Sequence, residues 1–200
     1  KWKTVYTYFV RWHEAGVFER INACLRTDVR IAAGRSPDPS AGIIDSQSVK
    51  IVATLGSSGF DGAKKVNGRK RHIVTDTLGL LLTVVVHEAS IPDRVAARDV
   101  LQKVRRLLSS VTVVFADQGY TGTLIEYAKI SLSLTLEIVK RTQHRIFHIL
   151  PKRWVVERTF GWFGFYRRLS KEYERSPRHS EAFVYLAMSN IMLHRVSRGF

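Results

Sequence analysis

The chain has 200 residues, 45% of them apolar, enough for one packed core with a small appendage. Its 32 Lys and Arg against 17 Asp and Glu leave a net charge of +15, an excess that no fold requires and that suits a polyanionic partner. The lone Cys24 excludes an internal disulfide framework and a four-cysteine zinc site, and reads as a small buried apolar residue. No apolar run reaches the roughly 18 residues a membrane span needs, so no membrane partner is expected. Lys1-Trp2-Lys3 does not open a secretory leader, and a cytoplasmic, nucleoid-associated setting is the expectation.

Val5, Phe9 and Trp12 mark an apolar helical stripe, Ala15-Gly16 interrupts it, and Val17, Ile21, Leu25 and Val29 mark a second. Two helices joined by a glycine-containing turn fit either half of a helix-turn-helix reader or a plain hairpin packed on the main body. Residues 34–41, GRSPDPSA, read as a linker. The expected division is a helical N-terminal segment over 1–36 and a catalytic domain over 42–200.

From Ile43 the pattern turns to strands. Ile43–Val52 is the first, Gly-rich residues 55–63 follow as a loop, and Lys70–Thr75 and Leu80–His87 form a hairpin about Thr75–Gly79. Pro92-Asp93 opens a helix with Val100, Leu101, Val104, Leu107 and Leu108 on its apolar face. Val111–Ala116 reads as a buried strand, Thr123–Ile130 as a helix and Leu132–Val139 as a strand. A long helix is predicted over 152–175, ended by Ser176-Pro177, and a last one from Ser180. A meander followed by alternating helices and strands predicts an α/β fold, a ribonuclease H-like mixed sheet flanked by helices.

Asp45 lies inside an apolar strand, where an ionised carboxylate is costly unless it is paired or binds a cation. Asp117 closes the strand TVVFAD, at the end where open α/β sheets place their sites. Glu157 interrupts an apolar and basic helix, RWVVERTFGWF. Converging at one sheet edge, these acids would form an oxygen-rich pocket suited to two Mg²⁺ or Mn²⁺ ions and to phosphodiester chemistry. The bland readings stand beside this one: a hydrogen-bonded strand acid, a turn aspartate and a partner for Arg153 or Arg158.

The stretches GIIDSQSVK, GFDGAKKVNGRKRHIVTDTLGLLLTVVVHEA, FADQGYTG and LPKRWVVERTFGWFGFYRRLSKEYE together resemble DDE transposases of bacterial insertion sequences, of the insertion-sequence-five family. The resemblance implies that Asp45, Asp117 and Glu157 are the catalytic, metal-holding triad. It also implies that Arg153, one helical turn before Glu157, steers a phosphate. The implied activity is end cleavage to a 3′-hydroxyl and transfer of that strand into target DNA. The partners would be double-stranded DNA, as terminal inverted repeats and target, bound by a homodimer. Relatives carry a longer helical N-terminal domain before Trp2, so truncation is expected, and a catalytically inactive DNA-binding remnant is the alternative. Many also have a basic residue where Phe165 stands, and glycine where Gln118 stands.

The run KKVNGRKRH suggests a projecting basic hairpin turning at Asn67-Gly68, with Lys64, Lys65, Arg69, Lys70 and Arg71 on a DNA backbone or, alternatively, on a solvated edge strand. Arg158, Arg167 and Arg168 extend the basic surface, interleaved with aromatics that read chiefly as core; one of them could instead stack on an unpaired terminal base.

Overall fold

The computed structural model describes residues 1–52, 56–139 and 151–198. Leu55 of the glycine-rich loop and Leu150 of the Glu157 motif lie outside them. Helices α1 (Trp2–Glu14) and α2 (Val17–Ala32) precede strands β1 (Ala41–Lys50), β2 (Gly59–Asp61), β3 (Val66–Thr75) and β4 (Leu81–Glu88). Then come α3 (Asp93–Leu107), β5 (Val113–Ala116), α4 (Thr123–Leu132), β6 (Thr135–Ile138), α5 (Pro151–Gly164) and α6 (Pro177–Arg198).

β1 lies between β3, antiparallel to it, and β5, parallel to it. β3 also pairs with β4 and, at its start, with β2, while β6 runs parallel to β5 on the far side. The order β4-β3-β1-β5-β6, an antiparallel meander joined to parallel strands through helices, is the ribonuclease H-like arrangement expected.

Side chains alternate across the sheet, so each strand feeds both layers. Ile43, Ile73 and Phe115 point to one face and pack with Val156, Phe160 and Phe163 of α5 and Ala182, Tyr185 and Met188 of α6. Ile44, Val74, Val114 and Ala116 point to the other and meet Val100, Leu101 and Val104 of α3 and Leu124 and Ala128 of α4.

The N-terminal helices form a hairpin packed on this body. Gly16, at φ 66°, makes the left-handed junction between them. α2 buries only part of the expected stripe: Val29 is buried and Leu25 packs partly on the core, but Ile21 is exposed, and Phe18, Asn22, Arg26 and Arg30 are buried as well. Charge is tolerated there because Arg26 donates to the Leu81 carbonyl and Arg30 pairs with buried Asp76. That rotation also leaves Cys24 exposed rather than buried. On α1 only Phe9 of the predicted stripe reaches the body, its ring 5.6 Å from Phe18 and 5.3 Å from Phe183. Val5 and Trp12 stay largely exposed.

Three further expectations need correction. Asn67-Gly68 is not a turn but part of β3. Glycine is required there because the Val49 carbonyl would lie 1.9 Å from a Cβ at position 68. The turn of the basic hairpin is Gly62–Lys65, held by the Asp61 carboxylate, which accepts from the backbone N–H groups of Ala63 and Lys64.

The helix predicted to run to residue 175 ends at Gly164. Beyond it the chain makes one 3₁₀ turn over Arg167–Leu169 and returns to β1, where the Glu172 N–H donates to the Lys50 carbonyl. A buried charge cluster holds it there. The Glu172 carboxylate lies 3.6 Å from guanidinium nitrogens of both Arg69 and Arg71 and accepts from the Ser180 hydroxyl at 2.7 Å. Finally, Pro177 opens α6 instead of ending the preceding helix, because the first helical position tolerates proline's fixed φ and missing N–H. Among the described residues no helix is long and apolar enough to cross a membrane.

Candidate active site

β1 and β5 place the two aspartates side by side. Ile43 pairs with Phe115, the last pair of their parallel register. Two residues further on, alternation returns Asp45 to the face covered by α5, and Asp117, just past the end of β5, is close enough for its charge to act on Asp45. Neighbouring strands lie about 4.8 Å apart. Asp117 keeps an extended backbone (φ −83°, ψ −178°), which continues the alternation just past β5.

The two carboxylates differ in surroundings. Burial pushes the Asp45 carboxyl up to about 6. The Ser46 N–H, donating at 2.7 Å, resists this rise, the Asp117 charge reinforces it, and Lys64 and Arg153 oppose it. Asp117 is more open. Its Oδ1 accepts from the Gly119 N–H at 2.8 Å, capping the 3₁₀ turn Gln118–Tyr120, and its Oδ2 faces Arg153.

α5 brings the third acid. Its inner face is pinned by Val156 and Phe160 in the core. The β3–β4 turn adds anchors: Thr159 Oγ1 donates to the Gly79 carbonyl at 2.8 Å and Arg158 Nη2 to the Leu78 carbonyl at 3.0 Å. Glu157 therefore points outward along the sheet edge, its side chain 48% exposed. Arg153 Nη2 lies 3.1 Å from Glu157 Oε1 and 4.0 Å from Asp117 Oδ2, and so bridges an acid of the sheet and an acid of the helix.

Divalent-cation chemistry can be tested against this donor set. Hard carboxylate oxygens suit Mg²⁺ or Mn²⁺, and two neighbouring carboxylates, one of them largely withdrawn from water, concentrate negative charge that a cation would offset. Glu157 is linked to that pair through Arg153. Among the described residues no group of three or more His, Cys, Asp or Glu is already drawn together in metal-holding geometry. The aspartate pair thus fits a cation, and the glutamate is poised one side chain away.

The basic residues separate into two sets. Lys64 and Lys65 stand exposed at the hairpin tip, and Lys64 Nζ donates to the Ser46 carbonyl at 3.2 Å, beside Asp45. Arg69, Lys70 and Arg71 are buried and internally bonded. Arg69 donates to the carbonyls of Ser57, Glu174 and Arg175, Arg71 to those of Leu169 and Lys171, and Lys70 pairs with Asp93 at 2.9 Å. The expectation of five projecting cations is corrected to two, because β3 lies inside the sheet and its long side chains serve as struts. Arg167 is exposed, whereas Arg168 pairs with Glu174 at 2.6 Å and Arg158 stacks on Trp162 at 4.8 Å.

One supporting pair escaped the sequence reading. Tyr120, almost fully buried, hydrogen-bonds through its hydroxyl to His72 Nε2 at 2.9 Å, fixing the turn that follows Asp117 to β3. The only signal for it was its place three residues after Asp117 in FADQGYTG.

Comparison with known proteins adds relatives. A family model described as a transposase DDE domain matches residues 36–192. A Burkholderia cepacia protein named as a transposase for insertion sequence element IS402 is 31% identical over 139 residues. That match covers 66% of this chain and 66% of the relative. The crystal structure of the Mos1 strand transfer complex aligns at a TM-score of 0.32 and 11% identity, covering 87% of this chain and 62% of the other.

Proposed function

Because the chain belongs to the family of transposase DDE domains, we propose that it cleaves DNA at the ends of an insertion sequence and transfers the freed strand to a target. The single observation that carries this reading is the proximity of Asp45 and Asp117 on the neighbouring strands β1 and β5, reached from α5 by Glu157 through Arg153.

Asp45, Asp117 and Glu157 would hold the divalent ions. When bound, such ions activate a hydroxyl nucleophile and offset charge on the leaving oxygen of a phosphodiester. The chain's own residues do the rest. Arg153, already between the acids, can release one of them to hold a phosphate oxygen in a charge-assisted hydrogen bond. Lys64 and Lys65 present cations to the backbone beside Asp45, and Arg167, with Arg158 and Arg168 behind it, extends that surface along the end of α5. Hydrolysis breaks a P–O3′ bond at the element end and leaves a 3′-hydroxyl. In transfer that hydroxyl attacks a target phosphorus, and the target 3′-oxygen leaves. Action on terminal inverted repeats as a homodimer belongs to the same proposal. A catalytically inactive remnant is disfavoured because all three acids are present and Asp45 and Asp117 are neighbours.

The test is Mg²⁺- or Mn²⁺-dependent nicking of a duplex carrying the element's end. Asp117→Asn should abolish nicking and leave duplex affinity within about twofold. Undiminished nicking by that variant rejects the assignment.

A further inference from the structure

Beyond the acids, α5 and α6 enclose an open cleft of about 580 Å³, whose lining includes Trp162, Phe165, Tyr166, Asn190, His194 and Arg195 and, among the described residues, no acid. Its composition is unusual for exposed surface. Phe165 is 89% exposed, a large aromatic ring held in water just past the end of α5. Trp162 is fixed: its ring edge seats over Gly79, where a Cβ would come within 3.1 Å of it. The Arg195 and Arg158 guanidiniums both lie against that indole, at 4.3 and 4.8 Å from the ring centroid. Among the described residues Arg195 has no carboxylate within ion-pair distance. Tyr166 donates its hydroxyl to Asn190 Oδ1 at 2.8 Å, which leaves the amide N–H groups of Asn190, a lining residue, free of that bond as donors.

Flat aromatic faces, a cation with no ion-pair partner among the described residues and an amide donor are what a nucleobase and its phosphate require. A helix-forming or apolar peptide would leave Arg195 desolvated without an anion. Resting on the DNA-cleaving reading, we propose that this cleft binds an unpaired nucleotide of the DNA, its base stacked on Phe165 and its phosphate met by Arg195. The cleft lies on the helix that carries Glu157, so a nucleotide seated there would fix the strand relative to the acids. The proposal is for a stacking subsite separate from the three acids and from the lysine tip.

Fluorescence anisotropy with two labelled probes tests it: a blunt duplex, and the same duplex with a short unpaired 3′ tail containing 2-aminopurine. The wild-type chain should bind the tailed probe more tightly and quench its 2-aminopurine emission. Phe165→Ala and Phe165→Leu should each weaken tailed binding by about fivefold or more and restore the emission, with blunt binding unchanged. Phe165→Trp should retain both properties. Because Phe165 is exposed, these variants should fold as the wild type does, which circular dichroism checks. Equal losses on both probes, no loss on either, or full retention by Phe165→Leu overturns the stacking subsite. Failure of the wild type to bind even the blunt duplex would instead reject the DNA-binding reading.

Discussion

Asp45 on β1 and Asp117 just past the end of the neighbouring parallel strand β5 sense each other's charge, and that of Asp117 adds to the burial that raises the Asp45 carboxyl to about 6. The folded carboxyl thus holds its proton to a higher pH than the unfolded one, which releases it near 3.9. Without metal, this residue lowers stability as pH rises through that window, and the deficit persists at neutral pH. Asp45→Asn should therefore stabilise the metal-free protein at pH 7.5 by roughly 1–3 kcal/mol, and the gain should fade towards pH 4. Adding Mn²⁺ should raise the melting temperature of the wild type and not of the variant. A wild type that melts above Asp45→Asn in chelator at pH 7.5 would contradict this account.

Arg153 bridges the two elements at 3.1 Å from Glu157 and 4.0 Å from Asp117, with roughly a quarter of its side chain exposed. Ion pairs this open contribute little to stability, about 0–1 kcal/mol. Arg153→Gln should leave the melting temperature within about 3 °C of wild type. Nicking should nevertheless fall by about tenfold or more, since one charge-assisted contact to phosphate contributes on that scale. Comparable small losses in both measurements would make Arg153 a surface residue and not a positioning one.

Much of this was readable in the chain because local patterns agreed with the tertiary outcome. The β1 and β5 runs are short, β-branched and bounded by turns, and Asp45 and Asp117 stood out as charges where apolar residues were expected. What escaped reading was set by contacts distant in sequence. The helical pattern after Gly164 yields to Glu172, which is drawn back to Arg69 and Arg71, far earlier in the chain. Gly68 resembles a turn residue but serves the approach of the Val49 carbonyl. The Arg153–Glu157 pair is visible from spacing, whereas its reach to Asp117 depends on where α5 docks.

The split of the basic run gives a separable pair of outcomes. Glu172→Gln leaves two buried guanidiniums short of their counter-charge and should destabilise the fold by about 3–5 kcal/mol. In a chain of this size that amounts to a melting-temperature drop of about 6–20 °C. Lys64→Ala and Lys65→Ala should shift stability by no more than about 0.5 kcal/mol. Each should weaken duplex binding and reduce the salt slope by about one unit per lost phosphate contact. Thermal melts and salt titrations of the three variants separate struts from contacts; unchanged DNA affinity in both lysine variants would remove the hairpin tip from the interface.

His72 gives a pH dependence of opposite sign to that of Asp45. Buried under Tyr120 and 5.7 Å from the ring of His87, it is pushed down to about 3, chiefly by burial and secondarily by the neighbouring histidine. The folded protein keeps this imidazole neutral while the unfolded chain protonates it below about 6.5. The unfolded state then binds more protons, and stability falls as pH drops from about 6.5 towards 3. His72→Gln, which retains a hydrogen-bonding partner for Tyr120, should flatten that fall even where it lowers stability at pH 7.5. The measurement is the difference in unfolding free energy between pH 7.5 and pH 5 for each protein. A fall in His72→Gln as steep as that of the wild type would mean that another group sets the acid limb and that the imidazole beneath the Asp117 turn plays no part in it.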